Sequence, residues 1–156
     1  MRIIAFDPSL RQTGYAVVDF PSLDIVSGGI ITTDPREEFP DRIYEIFTKA
    51  KELFTDYGNG LEHAVFEESF YNKNVKSANK LAQVRAVLII AAKESGCSIA
   101  LYAPNTIKKA VTGKGHASKE QVAFMVKKIY NLDRDIPDDL SDALAVAYTF
   151  NSRSSL

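Results

Sequence analysis

Three stretches of this chain build hydrophobic structure and then stop in carboxylates. "RIIAF" at 2–6 is closed by Asp7, "EHAVFE" at 62–67 runs into Glu67 and Glu68, and "DIPDDLSDAL" at 135–144 sets acids at the head of an apolar segment. The first two are of strand length and rich in strand-forming residues, which predicts buried strands. Asp and Glu are rarely buried unless paired or metal-bound. The arrangement therefore asks whether these acids are separate surface features or parts of one site.

The remaining elements set the frame. "TGYAVVDF" at 13–20 and "IVSGGIIT" at 25–32 read as strands, and their short connections predict antiparallel hairpins. Residues 40–57 place Ile43, Ile46, Phe47, Ala50 and Phe54 on one helical face after Pro40 and Asp41. Residues 77–95 form a helix with a broad apolar face, and "SIALYA" at 98–103 a fifth strand. A short helix follows Pro104, then the loop "GKGHAS" at 113–118, a helix at 119–131 and a last helix at about 138–150. The order β-β-β-α-β-α-β-α-α-α predicts an α/β fold: a mixed five-stranded sheet, three strands antiparallel and then two parallel, flanked by helices. Residues 1–150 are expected to be a single domain and 151–156 a flexible tail.

Composition excludes several classes. With 46% apolar and 25% charged residues the chain is neither disordered nor membrane-like. No apolar run approaches the ~18–20 residues of a membrane span, and no secretory-signal pattern is expected at the N-terminus. The one cysteine, Cys97, cannot form an internal disulfide and reads as a reduced structural thiol, so a cytoplasmic location is expected. Net charge is only −1, but residues 73–134 carry twelve Lys or Arg against three Asp or Glu. That asymmetry suggests a polyanion-binding surface, although Lys-rich solvated helix faces give the same count.

Placed on this frame, the acids converge. Asp7 and Glu67 end strands that, as parallel neighbours, share one sheet edge, where ligands collect in open α/β sheets. Asp139 and Asp142 lie three apart on the final helix and share a face. Four carboxylates together require a compensating cation. All-oxygen ligands suit Mg²⁺ or Mn²⁺, and paired ions of this kind cleave phosphodiesters. Each acid also has a plainer reading. Asp7 before Pro8 suits a turn, Glu68 is an alternative to Glu67, and Asp138 or Asp139 suits a helix cap.

At this point the chain resembles the RuvC family of Holliday junction resolvases, within the ribonuclease H-like fold. The resemblance is carried by "FDPSLRQTGYAV" at 6–17, "FEESFYNKNVKSANKLAQVRAV" at 66–87, "YAPNTIKKAVTGKGHASKEQV" at 102–122 and "DDLSDALAVA" at 138–147, almost the whole chain. It implies two Mg²⁺ per subunit, with Mn²⁺ as a substitute, held by Asp7, Glu67, Asp139 and Asp142. The register of "EExF" favours Glu67 over Glu68, and D-x-x-D-A-L favours Asp139 over Asp138. The resemblance further implies Lys119 as a catalytic cation, with Lys108, near the scissile phosphate. It implies DNA contacts by Phe70, Tyr71, Asn74 and Ser77, Phe70 acting as a wedge at the junction centre. Without the resemblance, Phe70 reads as a helix-start core residue. Arg85 falls in the helix where the family dimerises, and His116 lies in a basic loop.

The implied activity is symmetric, metal-dependent hydrolysis of four-way DNA junctions by a homodimer, leaving 5′-phosphate and 3′-hydroxyl ends. Alternatives are a broader branched-DNA or flap endonuclease, a ribonuclease H acting on RNA–DNA hybrids, and a non-catalytic junction-binding module. The sequence specifies no branch-migration helicase partner. Ser9, Ala16, Ala82 and Ala86 stand where the family pattern has glycine.

Overall fold

The computed structural model describes residues 1–68 and 74–154. Among the described residues the elements are β1 (Arg2–Asp7), β2 (Gln12–Asp19), β3 (Asp24–Thr32), α1 (Phe39–Tyr57), β4 (His63–Glu67), α2 (Val75–Glu94), β5 (Ser98–Tyr102), α3 (Pro104–Thr112), α4 (Lys119–Ile129) and α5 (Asp138–Ser154), with a 3-10 turn at Gly58–Gly60. The sheet order is β3-β2-β1-β4-β5. β1 pairs antiparallel with β2, and β2 with β3, while β4 is parallel to both β1 and β5. The mixed sheet expected from the sequence is the one observed.

Strand alternation assigns each side chain to a layer. Ile3, Ala5, Ala16, Val18 and Val65 pack with α3, α4 and α5. Ile4, Phe6, Val17, Ala64 and Phe66 pack with α1 and α2, where the Phe6 and Phe66 rings stack at 5.4 Å. β1 and β4 are covered on both faces, which is why their sequences are unbroken apolar runs.

Local chemistry sets the helix ends. Pro stands in the first turn of α1 and opens α3, where its missing N–H costs nothing. α3 stops at Gly113, in the left-handed region at φ 78°. α4 starts in a capping box between Ser118 and Gln121. α2 begins at Val75, two residues before the expected start, because the Asn74 side chain accepts from the Lys76 and Ser77 N–H groups. α5 continues to Ser154, so residues 151–154, expected as tail, are helical. No breaker interrupts the segment, and Arg153 in the last turn suits the negative end of the helix dipole. No described helix is long and apolar enough to cross a membrane.

Candidate active site

Alternation places the first two acids. Asp7 continues the Ile3–Ala5 series and Glu67 continues from Val65, so both belong to the face covered by α3–α5. The β1–β4 register pairs Phe6 with Phe66, which makes Asp7 and Glu67 the next neighbours at the carboxyl edge. Glu68 lies beyond β4, its N–H donating to the Tyr102 carbonyl at 2.9 Å. A single step of parity thus separates the acid that enters the site from the one that does not.

The second pair arrives on α5. Ala143, Leu144, Ala145, Val146 and Ala147 are buried against the sheet, which requires the helix to approach closely. Gly14, opposite Asp7 in the β1–β2 ladder, permits this: a Cβ there would overlap the backbone carbonyl of Asp139. Gly28 on β3 does the same for Leu140, whose Cδ1 would stand 2.6 Å from an added Cβ. These glycines serve close packing rather than unusual backbone angles. Asp139 and Asp142 are half-buried at this contact, and Asp138 is exposed.

Asp7, Glu67 and Asp142 line one cavity of about 300 Å³, together with Lys108, Lys119, Pro104, Ile107 and Val122. Burial pushes the Asp7 carboxyl up to about 8, helped by the nearby charges of Glu67, Asp142 and Asp139 and opposed by Lys119. Asp142 is also raised, chiefly by burial, against the pull of Lys119. Lys119 Nζ lies 3.2 Å from Asp142 Oδ2, and this carboxylate holds the ammonium above its ordinary range. Burial and mutual repulsion make the ionised acids costly unless a cation joins them. The donor set, all carboxylate oxygen, fits hard divalent ions such as Mg²⁺ or Mn²⁺. Among the described residues no three His, Cys, Asp or Glu side chains form a ready-made ligating group, and the positive charge in contact is the Lys119 ammonium.

The other expected residues divide. Lys108 and Lys119 reach the cavity. Asn74 caps α2. Ser77 lines a neighbouring recess, and Arg85 a small hollow beside Asp7 and Glu67. His116 is exposed on its loop, and Cys97 is buried with its thiol raised by burial. Phe70 and Tyr71 lie outside the described residues. Sequence reasoning missed what holds the Asp7 loop. The buried Thr13 hydroxyl accepts from the Ser9 N–H at 3.1 Å and donates to the Ser9 carbonyl at 2.5 Å. Thr33 donates to the Leu10 carbonyl at 2.6 Å and accepts from Arg42 Nε. A Thr six residues after Asp7 was the only available signal.

Fold and site together define an α/β domain with an acid-lined, lysine-flanked edge, the architecture of a metal-dependent nuclease. Comparison with known proteins is more specific. Residues 3–150 match the family described as Crossover junction endodeoxyribonuclease RuvC. Relatives with that name include those of Caldanaerobacter subterraneus subsp. tengcongensis, 39% identical over 94% of this chain and 90% of the relative, and Ehrlichia ruminantium, 36% identical over 94% of each. Among solved structures, Thermus thermophilus RuvC in complex with a Holliday junction substrate superposes with a TM-score of 0.90 at 30% identity, covering 99% of this chain and 94% of that one. The chain belongs to the RuvC family of crossover junction endodeoxyribonucleases.

Proposed function

We propose that this protein resolves Holliday junctions by paired, symmetric hydrolysis of two DNA strands. The observation that carries the reading is the meeting of Asp7, Glu67, Asp142, Lys108 and Lys119 in one cavity, with Asp139 at its side, in a chain of this family. The Thermus thermophilus relative was solved with a Holliday junction substrate, which supports the same substrate here. Asp7, Glu67, Asp139 and Asp142 would hold two Mg²⁺ ions, for which Mn²⁺ substitutes. Bound there, such ions supply a nucleophilic water at neutral pH and neutralise the leaving 3′ oxygen, giving 5′-phosphate and 3′-hydroxyl ends. Lys108 and Lys119 offset charge that accumulates on the scissile phosphate. Pro104, Ile107 and Val122 give the cavity an apolar wall that strengthens these interactions. Phe70 and Tyr71 are proposed to contact the junction centre, and Asn74 and Ser77 the adjoining strand. A reducing cytoplasmic setting suits the buried thiol of Cys97.

Paired cutting calls for two sites related by a twofold axis. α2 supports a homodimer. Opposite its buried stripe lie Val75, Asn79, Ala82, Ala86 and Ile90, all exposed, with Val75 at 72% and Ile90 at 51%. A small, largely apolar helix face of this kind is suited to self-association. Cleavage of a four-way junction, a three-way junction, a flap and an RNA–DNA hybrid, compared side by side with Mg²⁺, tests the function. The four-way junction is expected to be cut fastest, by two symmetric nicks. Preference for the flap or the hybrid overturns the resolvase reading.

A further inference from the structure

The helix α2 turns one stripe inward: Val84, Leu88 and Ala91 are fully buried against the sheet. The same stripe, continued toward the N-terminus at helical spacing, reaches Ser77 and Lys80. Both are exposed. Polar side chains thus replace apolar ones on the face that elsewhere makes core. There they wall a recess of about 290 Å³ with Leu81 and with Ser9 and Leu10 of the loop after Asp7. No acid lines it. Leu81 is shared with a second hollow of about 50 Å³, bounded by Asp7, Pro8, Glu67 and Arg85. Asp7 and Glu67 in turn belong to the active-site cavity. The three spaces share walls in sequence, from the acids past Arg85 to Lys80. Lys80 Nζ stands 5.6 Å from the centroid of the Phe39 ring at the start of α1, and it forms no ion pair with a described residue. The Ser9 loop is held by the hydrogen bonds of Thr13 and Thr33, so this wall is braced rather than loose.

We propose that this recess is a second phosphate subsite, in which Lys80, with the hydroxyls of Ser9 and Ser77, receives a backbone phosphate of the strand being cut. The proposal rests on the nuclease reading, since it supposes a strand lying over Asp7 and Glu67. A strand crossing that edge meets Lys108 and Lys119 on the α3–α4 side and Lys80 on the α2 side. The cation, the two hydroxyl donors and the absence of carboxylates among the described lining residues suit a phosphodiester, which offers oxygens only as acceptors. Holding the strand at a second point fixes which phosphate lies over the acids, so the subsite sets the position of cutting as well as affinity.

Lys80→Gln keeps much of the side chain's length and removes the charge. Junction binding is measured in EDTA across a salt series. The logarithmic salt slope should fall by about 0.7–0.9, with roughly fivefold weaker binding at ~0.15 M salt. Lys80→Arg should restore both, and the melting temperature should be unchanged. Junctions carrying a single neutral methylphosphonate, moved along the cut strand, locate the partner. One position near the cut should weaken wild-type binding but have no further effect on Lys80→Gln. If wild type binds and cuts the junction while Lys80→Gln keeps its slope and affinity, the subsite is wrong and the nuclease reading stands. Additive losses at every methylphosphonate position also overturn the subsite. A wild-type chain that neither binds nor cuts the junction overturns both.

Discussion

The two helical layers use the same sheet in different ways. α5 presses its alanines, Leu144 and Val146 onto the sheet, with Gly14 and Gly28 removing the side chains that would hold it off. α2, on the opposite face, buries only Val84, Leu88, Ala91 and Ala92 of its twenty residues. The first layer delivers Asp139, Asp142, Lys108 and Lys119 to the acids of β1 and β4. The second presents an outward apolar face and a polar N-terminal stripe. The difference teaches that the site depends on close backbone approach, whereas the partner and strand contacts proposed above fall on a helix whose outer face can vary without disturbing the core.

The comparison breaks most sharply at Asp7. Asp7→Asn is expected to lower junction cleavage by roughly 10³-fold or more, exceeding the ~10²–10³ typical of losing one electrostatic stabiliser. Binding in EDTA should be kept or slightly improved, because a negative charge near phosphates is removed. Cutting at the wild-type rate in Mg²⁺ removes Asp7 from the site. Lys119→Met should cost about 10²-fold in single-turnover cleavage, with binding changed far less. An equal loss in both would make Lys119 a docking residue instead.

Much of this was legible before the structure. The unbroken apolar runs of β1 and β4 follow directly from burial on both faces, and the spacing of Asp139 and Asp142 places them together. The acids of the site were found because their residue type conflicts with their setting. Gly14 was not legible as a packing residue, because its role depends on a helix more than a hundred residues away. Lys80 was hidden for a related reason: periodicity shows that α2 has an inward face, but not where burial of that face ends. The start of α2 was misplaced because Asn74 was considered for DNA rather than as a cap.

Smaller effects sharpen the contrast between layers. Gly14→Ala should destabilise the fold by about 1–3 kcal/mol, the range for overpacking, and reduce cleavage more than binding because α5 must shift. Denaturant melts and single-turnover rates check this, and wild-type values for both would show that α5 does not depend on Gly14. Ile90→Asp should leave the monomer's melting behaviour within about 0.5 kcal/mol, as for surface changes, while weakening self-association in sedimentation experiments. Unchanged association would place the twofold contact on another face.

Asp7 is crowded by acids, and the proposed function requires a divalent cation to complete it. Its folded-state value, about 8, lies above the ordinary 3.8, so the folded protein binds more protons than the unfolded chain between those limits. Metal-free stability from this group therefore falls as pH rises from ~4 to about 8 and levels off above. Mg²⁺ or Mn²⁺ favours the ionised acids, so its stabilising effect should grow over the same interval. Melting temperatures of wild type and Asp7→Asn, with and without metal, from pH 5 to about 9, test this directly. The metal-induced shift should increase with pH in wild type and be largely lost in Asp7→Asn. A shift independent of pH and equal in both proteins would contradict that requirement.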